Sequence, residues 1–255
     1  MSRAFVVATI EDAGHFTEEQ RREIISAYPA HELDARTKGI PSLGSGRVFP
    51  ISEELIVIDH REFPAHWPRI GGMDFGWTHP FAAVELVWDR DSDTVYVSRI
   101  YRMKEQTPVL HVAALRTWGK SLPWAWPRDG NRETLEGAGV ALSQQYGREG
   151  LNMLGEFAHY LEYEHGKPVR SVSVEAGLFD MLTRMQTGRF KVFRSHLDWL
   201  EEFRLYHRKD GKVFKEGDDL MAATRYAVMM LRFASTKAAY DKFRRPLVYP
   251  KLGIA

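Results

Sequence analysis

The chain of 255 residues is 44% hydrophobic and 27% charged, a size and balance that support one main hydrophobic core with room for a small appendage. It has no cysteine, which excludes disulfides, thiolate zinc sites and a cysteine nucleophile; it also lacks an apolar run of eighteen residues and a signal-peptide-like opening, so the expectation is a cytoplasmic protein with no membrane partner. The formal net charge of +1 is unevenly spread: residues 1–67 carry eleven acids against seven Lys and Arg, whereas 184–215 carry nine Lys and Arg against four acids, a candidate face for a polyanion.

Thr17, followed by Glu18, Glu19 and Gln20, reads as the N-cap of a helix that continues through Ile24, Ile25 and Tyr28 and stops at Pro29. HELDARTKGIP (31–41) suggests a second short helix closed by Gly39 and Pro41, and a Gly/Ser/Pro-rich linker is placed near 41–67. From Ile70 the apolar period changes to two. A strand leading to Asp74 is followed by a hairpin of Pro80–Trp88 and Thr94–Tyr101. Helical spacing returns over Thr107–Gly119, LPWAW is strand-like, Gly137–Tyr146 is helical and Val169–Val174 is a further strand. Then come a helix over Leu178–Met185, a strand over Phe190–Phe193 and a helix over His196–Leu205. YHRKDGKVFK has the Asp-Gly signature of a tight hairpin, and a last helix runs from Asp219 to about Phe233. The alternation predicts an α/β fold whose sheet carries an antiparallel edge.

Three acidic spots fall at ends of these elements. Asp74 ends the first strand, Asp129 follows LPWAW, and Asp218 and Asp219 open the last helix. In an open α/β sheet the carboxyl ends of neighbouring strands share a rim, so acids distant in sequence can converge there. Converging carboxylates repel and call for a cation, and hard oxygen donors select Mg²⁺ or Mn²⁺. Two such ions about 4 Å apart can activate a water and stabilise the leaving oxygen of a phosphodiester. Asp74 suits the shared ligand, since Gly72 and Gly76 would let metal and phosphate approach the backbone. Taken singly, each acid also fits a turn or a helix cap.

GGMDFGWTHPFAAV, WPRDG, MQTGRFKVF and DDLMAATRYAV, in this order, resemble the nuclease domain of phage terminase large subunits, nearest to the headful-packaging branch of short-tailed phages and related prophages. The resemblance covers about Pro68 to Phe233. It implies an RNase H-like mixed sheet flanked by helices, and metal-dependent, sequence-non-specific endonuclease cleavage of concatemeric double-stranded DNA at the start and end of genome packaging. By motif, Asp74 matches the first-strand acid, Asp129 the second and the Asp218-Asp219 pair the third, with either member of the pair open as principal ligand; Ala222 stands where a further acid is often found. The resemblance further implies the terminase small subunit and the portal as partners, in the cytoplasm of an infected or prophage-carrying bacterium. Residues 1–60 resemble the end of the motor's ATPase region and its connector, and no GxxxxGK[ST] phosphate loop is present. The expected domains are therefore 1–67, an ATPase end and small helical linker, and 68–255, the nuclease, the chain being an excised C-terminal portion or a truncated product. In the family a hairpin before the acidic pair lies near the active site; Arg208, Lys209, Lys212 and Lys215 are its candidate DNA-phosphate contacts.

Other residues are weaker candidates. Glu175 could be an outer acid at a strand end; His79 could bind metal or phosphate, though turn packing is the plainer role; Trp77, Trp124, Trp126 and Trp199 are expected in the core or at its rim. Three other functions compete. DFGWT also opens the phosphate-binding domain of sugar-kinase and actin-like ATPases, but no second such element follows. A non-catalytic DNA-binding or motor-docking module would keep the basic face without needing the acids. Another RNase H-like nuclease, such as a junction resolvase, would differ in cleaving by DNA structure.

Overall fold

The computed structural model describes residues 13–27, 46–133, 139–164, 167–209 and 211–236. Helix α1 (Glu18–Ser26) starts as its sequence predicts: the Gln20 N–H donates to the Thr17 hydroxyl and the Thr17 N–H donates back to the Gln20 side chain. The second helix expected over 31–41 lies outside the described residues.

The main sheet is built around strands β2 (Arg69–Asp74), β3 (Phe81–Asp89) and β4 (Thr94–Met103), an antiparallel meander in which Asp74 pairs with Ala82 and Phe81 with Met103. Beyond β2 lie β5 (Pro123–Ala125) and β6 (Asn152–Met153), both added in parallel. Beyond β4 lie β9 (Phe190–Phe193) and β1 (Val57–Ile58), also parallel. The order is β1-β9-β4-β3-β2-β5-β6. The antiparallel strands therefore form the middle of the sheet and not its edge, because β9 pairs onto β4 from far along the chain, with β1 beyond it, and β5 pairs onto β2.

The period-two alternation of β3 sorts its side chains to two cores. Ala82, Val84 and Leu86 face one, where Leu178 and Met181 of α4 (Val174–Gln186), Trp199 and Phe203 of α5 (Leu197–Leu205) and Leu220 and Ala223 of α6 (Asp219–Met229) are buried. Phe81 and Ala83 face the other, with Val112 and Leu115 of α2 (Pro108–Leu115) and Tyr146 of α3 (Leu142–Arg148). Glu85, buried on this strand, is compensated by Arg69 at 3.4 Å, Arg99 at 3.5 Å and the Ser98 hydroxyl at 2.7 Å.

Two expectations change. The stretch set down as linker supplies β1 and buries Phe49, Ile51 and Ile56 in the first core, so from Val48 onward it is part of this fold. The apolar run Val169–Val174 is not a strand of the main sheet. Its first part belongs to β8 (Lys167–Ser171), which among the described residues pairs only with β7 (Tyr160–Glu164), and Ser173 then caps α4 by accepting from the Ala176 N–H.

Candidate active site

Helix α6 lies directly on β2, and one glycine permits it: a Cβ on Gly72 would stand 2.2 Å from the carbonyl oxygen of Ala223 and 2.7 Å from the Ala227 methyl. This corrects the sequence reading of Gly72, whose missing side chain admits a helix and not a ligand. The contact brings the end of β2, with Asp74, beside the start of α6, with Asp218 and Asp219. Gly76 serves the loop between β2 and β3: a Cβ there would meet the Pro80 and His79 carbonyls and lie 2.6 Å from His79 Nδ1. The loop folds back and sets His79 over the acids.

Asp74, His79 and Asp219 each offer a ligand atom within 4.8 Å of the other two. His79 Nδ1 is 3.1 Å from Asp219 Oδ1. Asp129 comes from a 3₁₀ turn (Arg128–Asn131) past the end of β5, and Asp218 holds the N-cap position of α6 without a side-chain capping bond. All four acids line one cleft of about 490 Å³, with Arg128, Tyr206, Lys215, Ala222, Arg225 and Tyr226 among its walls. Burial, followed by repulsion from Asp129, Asp219 and Asp218, holds the Asp74 carboxyl well above the usual carboxylate range. The Asp218 carboxyl is also raised, by burial and then by Asp219.

A second layer holds Asp219, which is 4% exposed. Glu202 of α5 accepts the Leu220 N–H at 2.7 Å and the Met221 N–H at 3.1 Å, capping α6 from another helix. Arg102 of β4 lies 3.3 Å from Glu202 Oε1 and 3.5 Å from Asp219 Oδ2. Burial pushes the Glu202 carboxyl up to about 8 against the opposing pull of Arg102 and the two backbone donors. Sequence alone singles out none of these partners: Glu202 differs from Glu201 only in which side of α5 it occupies.

The structure thus joins Asp74 with Asp219, places Asp129 and Asp218 in the same cleft, and raises His79 from a turn residue to a member of the cluster. Glu175 goes elsewhere. It sits in the first turn of α4 and holds Arg208 through bonds of 2.6 and 2.7 Å, so it is not an outer acid of the cleft. The basic segment is largely paired within the protein, Arg184 and Arg189 with Asp93, Arg194 with Asp59 and Arg204 with Glu53. Of the four hairpin candidates, Lys215 lines the cleft, Arg208 is taken by Glu175, and Lys209 and Lys212 belong to the β10 (Arg208–Lys209) and β11 (Lys212–Val213) ribbon. Trp124, Trp126 and Trp199 are buried, whereas Trp77 is 49% exposed at the rim.

The donors are oxygen and imidazole nitrogen, and Asp219 Oδ2 is buried with no hydrogen-bond partner. Such a set fits a hard divalent cation. Among the described residues no helix is long and apolar enough to cross a membrane.

Residues 71–231 match the family model for the terminase RNaseH-like domain. The chain is 44% identical over 234 residues to the large terminase subunit of Salmonella phage P22 and 43% identical over 230 residues to that of Enterobacteria phage LP7. These alignments cover 91% and 90% of this chain but 45% and 47% of those proteins, so the chain spans about half the length of these relatives. The solved nuclease domain of the P22 large terminase superimposes with a TM-score of 0.67 at 41% identity, over 76% of this chain and 96% of that one.

Proposed function

The chain belongs to the terminase RNaseH-like domain family, and from that premise we propose that it is the nuclease part of a phage genome-packaging terminase large subunit, an endonuclease that cuts concatemeric double-stranded DNA with the help of divalent cations. The observation that carries this reading is the convergence of Asp74, Asp129, Asp218 and Asp219 on one cleft, with Asp74 and Asp219 closest together beside His79. A docking module would have no use for four acids that converge in one cleft, Asp219 buried and Asp74 and Asp218 half-buried, and raise one another's cost of ionisation.

We assign Asp74 as the shared ligand of two Mg²⁺ or Mn²⁺ ions, Asp129 as a ligand of one and Asp219, assisted by Asp218, of the other. Bound there, the ions would supply positive charge to the attacking and departing oxygens. The protein's own part is positioning. Glu202 and Arg102 fix the first turn of α6, and with it Asp219; His79 orients the Asp219 carboxylate; Lys215 draws the phosphate backbone to the cleft mouth. In the reaction the oxygen of water bonds to phosphorus, the P–O3′ bond breaks, and one water proton ends on the departing 3′ oxygen. DNA held through phosphates is bound without regard to sequence. The stretch before Val48 is proposed as the end of the ATPase region and its connector, with the rest of 1–67 packed into the nuclease fold, and the small subunit and portal as partners in the host cytoplasm.

The test is cleavage of supercoiled plasmid at low salt by the wild-type chain and by Asp74→Asn, with Mg²⁺, Mn²⁺ or EDTA. Nicking and linearisation are expected with either metal and should vanish in EDTA and in the variant. Metal-dependent cleavage that persists in Asp74→Asn would sink the site assignment, and a strict preference for branched DNA would favour a junction resolvase.

A further inference from the structure

Arg225 lies on α6, six residues past Asp219, and lines the same cleft as the four acids while being only 6% exposed. Its stem is pressed against α4 at Gly177, where a Cβ would come within 2.6 Å of Arg225 Cγ and 2.8 Å of Cδ. The guanidinium carbon stands 4.4 Å from the centre of the Tyr226 ring, Nη1 is 3.9 Å from the Met229 sulfur, and Nε has no hydrogen-bond partner. Among the described residues no carboxylate oxygen lies within 4.0 Å of its nitrogens. Every other arginine brought near this cleft has such a partner or lies at the surface: Arg102 has Glu202 and Asp219, Arg208 has Glu175, and Arg128 is exposed.

A buried guanidinium without a carboxylate partner is costly unless something anionic meets it in function. Its charge reaches Asp74 and Asp218 through space, which eases the repulsion among the acids before a cation arrives. Once cations neutralise those acids, the guanidinium is left with its planar fork of donors in a cleft sized for a phosphodiester, and that fork matches a pair of phosphate oxygens. Resting on the nuclease reading above, we propose that Arg225 is a further catalytic residue, whose guanidinium donates to the non-bridging oxygens of the scissile phosphate and stabilises the charge that builds there during cleavage. Gly177 is the positioning residue that leaves room for its stem.

The experiment compares the full chain with Arg225→Met and Arg225→Lys, measuring Mn²⁺ binding by calorimetry and plasmid cleavage at saturating DNA. Arg225→Met removes a positive charge from a cation site, so it should bind Mn²⁺ at least as tightly as wild type. Its cleavage rate should fall by about 10²–10³-fold, the usual loss on deleting one preorganised donor. Arg225→Lys should recover part of that rate. If Arg225→Met loses Mn²⁺ binding together with cleavage, the residue is scaffold and the proposal fails; it fails equally if Arg225→Met cleaves at the wild-type rate. A wild-type chain that binds Mn²⁺ but cuts no DNA would instead overturn the nuclease reading, and this inference with it.

Discussion

Asp74 is held at the end of a strand where the protein makes its ionised form unfavourable. The causes are burial and three neighbouring carboxylates, so its folded-state pKa is raised. An acid raised in this way contributes its full stability below its unfolded pKa, and that contribution is lost as pH rises through the folded value; once the group is ionised its charge is a cost. Asp74→Asn keeps the shape and removes the charge. In EDTA the variant should therefore melt above wild type, by about 2–4 °C if the relief is of order 1 kcal/mol. Added Mn²⁺ should raise the wild-type melting temperature and leave the variant's almost unmoved. Differential scanning calorimetry with and without the metal decides this, and a variant that melts lower in EDTA would mean that the carboxylate is held by structural bonds. His79 marks the limit of reading such a site from sequence. The acids announced themselves by standing at element ends, but nothing in THPF shows that Gly76 turns the loop back over Asp219.

At the scale of elements, the site depends on α6 resting on β2 with no side chain between them at Gly72. Gly72→Ala would place a methyl group against the Ala223 carbonyl, a backbone atom that cannot swing aside. Overpacking of this kind costs about 1–3 kcal/mol, and here it would also separate Asp219 from Asp74. The variant should show a lower urea midpoint and weaker Mn²⁺ binding together, whereas an unchanged midpoint would show that helix and strand are not in register-tight contact. Much of this architecture was legible. Strands β2, β3, β4 and β9 and helices α4, α5 and α6 each carry a strong local period, and Asp-Gly marked the hairpin after Arg208. Local period does not report pairing across the chain. Strands β1 and β6 are two residues long and exist because a neighbour offers its edge, and the alternating run that begins at Val169 found only a local partner in β7. The same limit hid Glu202 and Arg102, which matter through what α5 and β4 bring to the first turn of α6.

Across the whole molecule, the two cores respond to pH in opposite senses. On one face Glu202, buried against α6, has a folded-state pKa of about 8, while the unfolded chain has the ordinary value near 4.5. The folded state therefore holds the extra proton between those values, and metal-free stability from this group rises as pH falls from about 8 toward 4.5. On the other face His111 stacks on Phe81 at 4.0 Å and shares a 3.1 Å hydrogen bond with the Tyr101 hydroxyl; burial pulls its pKa down to about 4 from 6.5. Here the unfolded state takes the proton, so stability from this group is lost as pH falls from 6.5 toward 4. Each proton contributes at most about 1.4 kcal/mol per pH unit. Substitution separates the two slopes. The stability of His111→Gln minus that of wild type should become more favourable as pH falls from 6.5 to 4, and should be constant above pH 7.5. For Glu202→Gln the difference from wild type should instead become less favourable as pH falls from about 8 toward 4.5. Urea midpoints of the metal-free proteins from pH 4.5 to 8.5 give both differences. If the two variants run parallel to wild type throughout, the buried histidine and glutamate already carry their protons in the same way folded and unfolded, and neither core is poised as described.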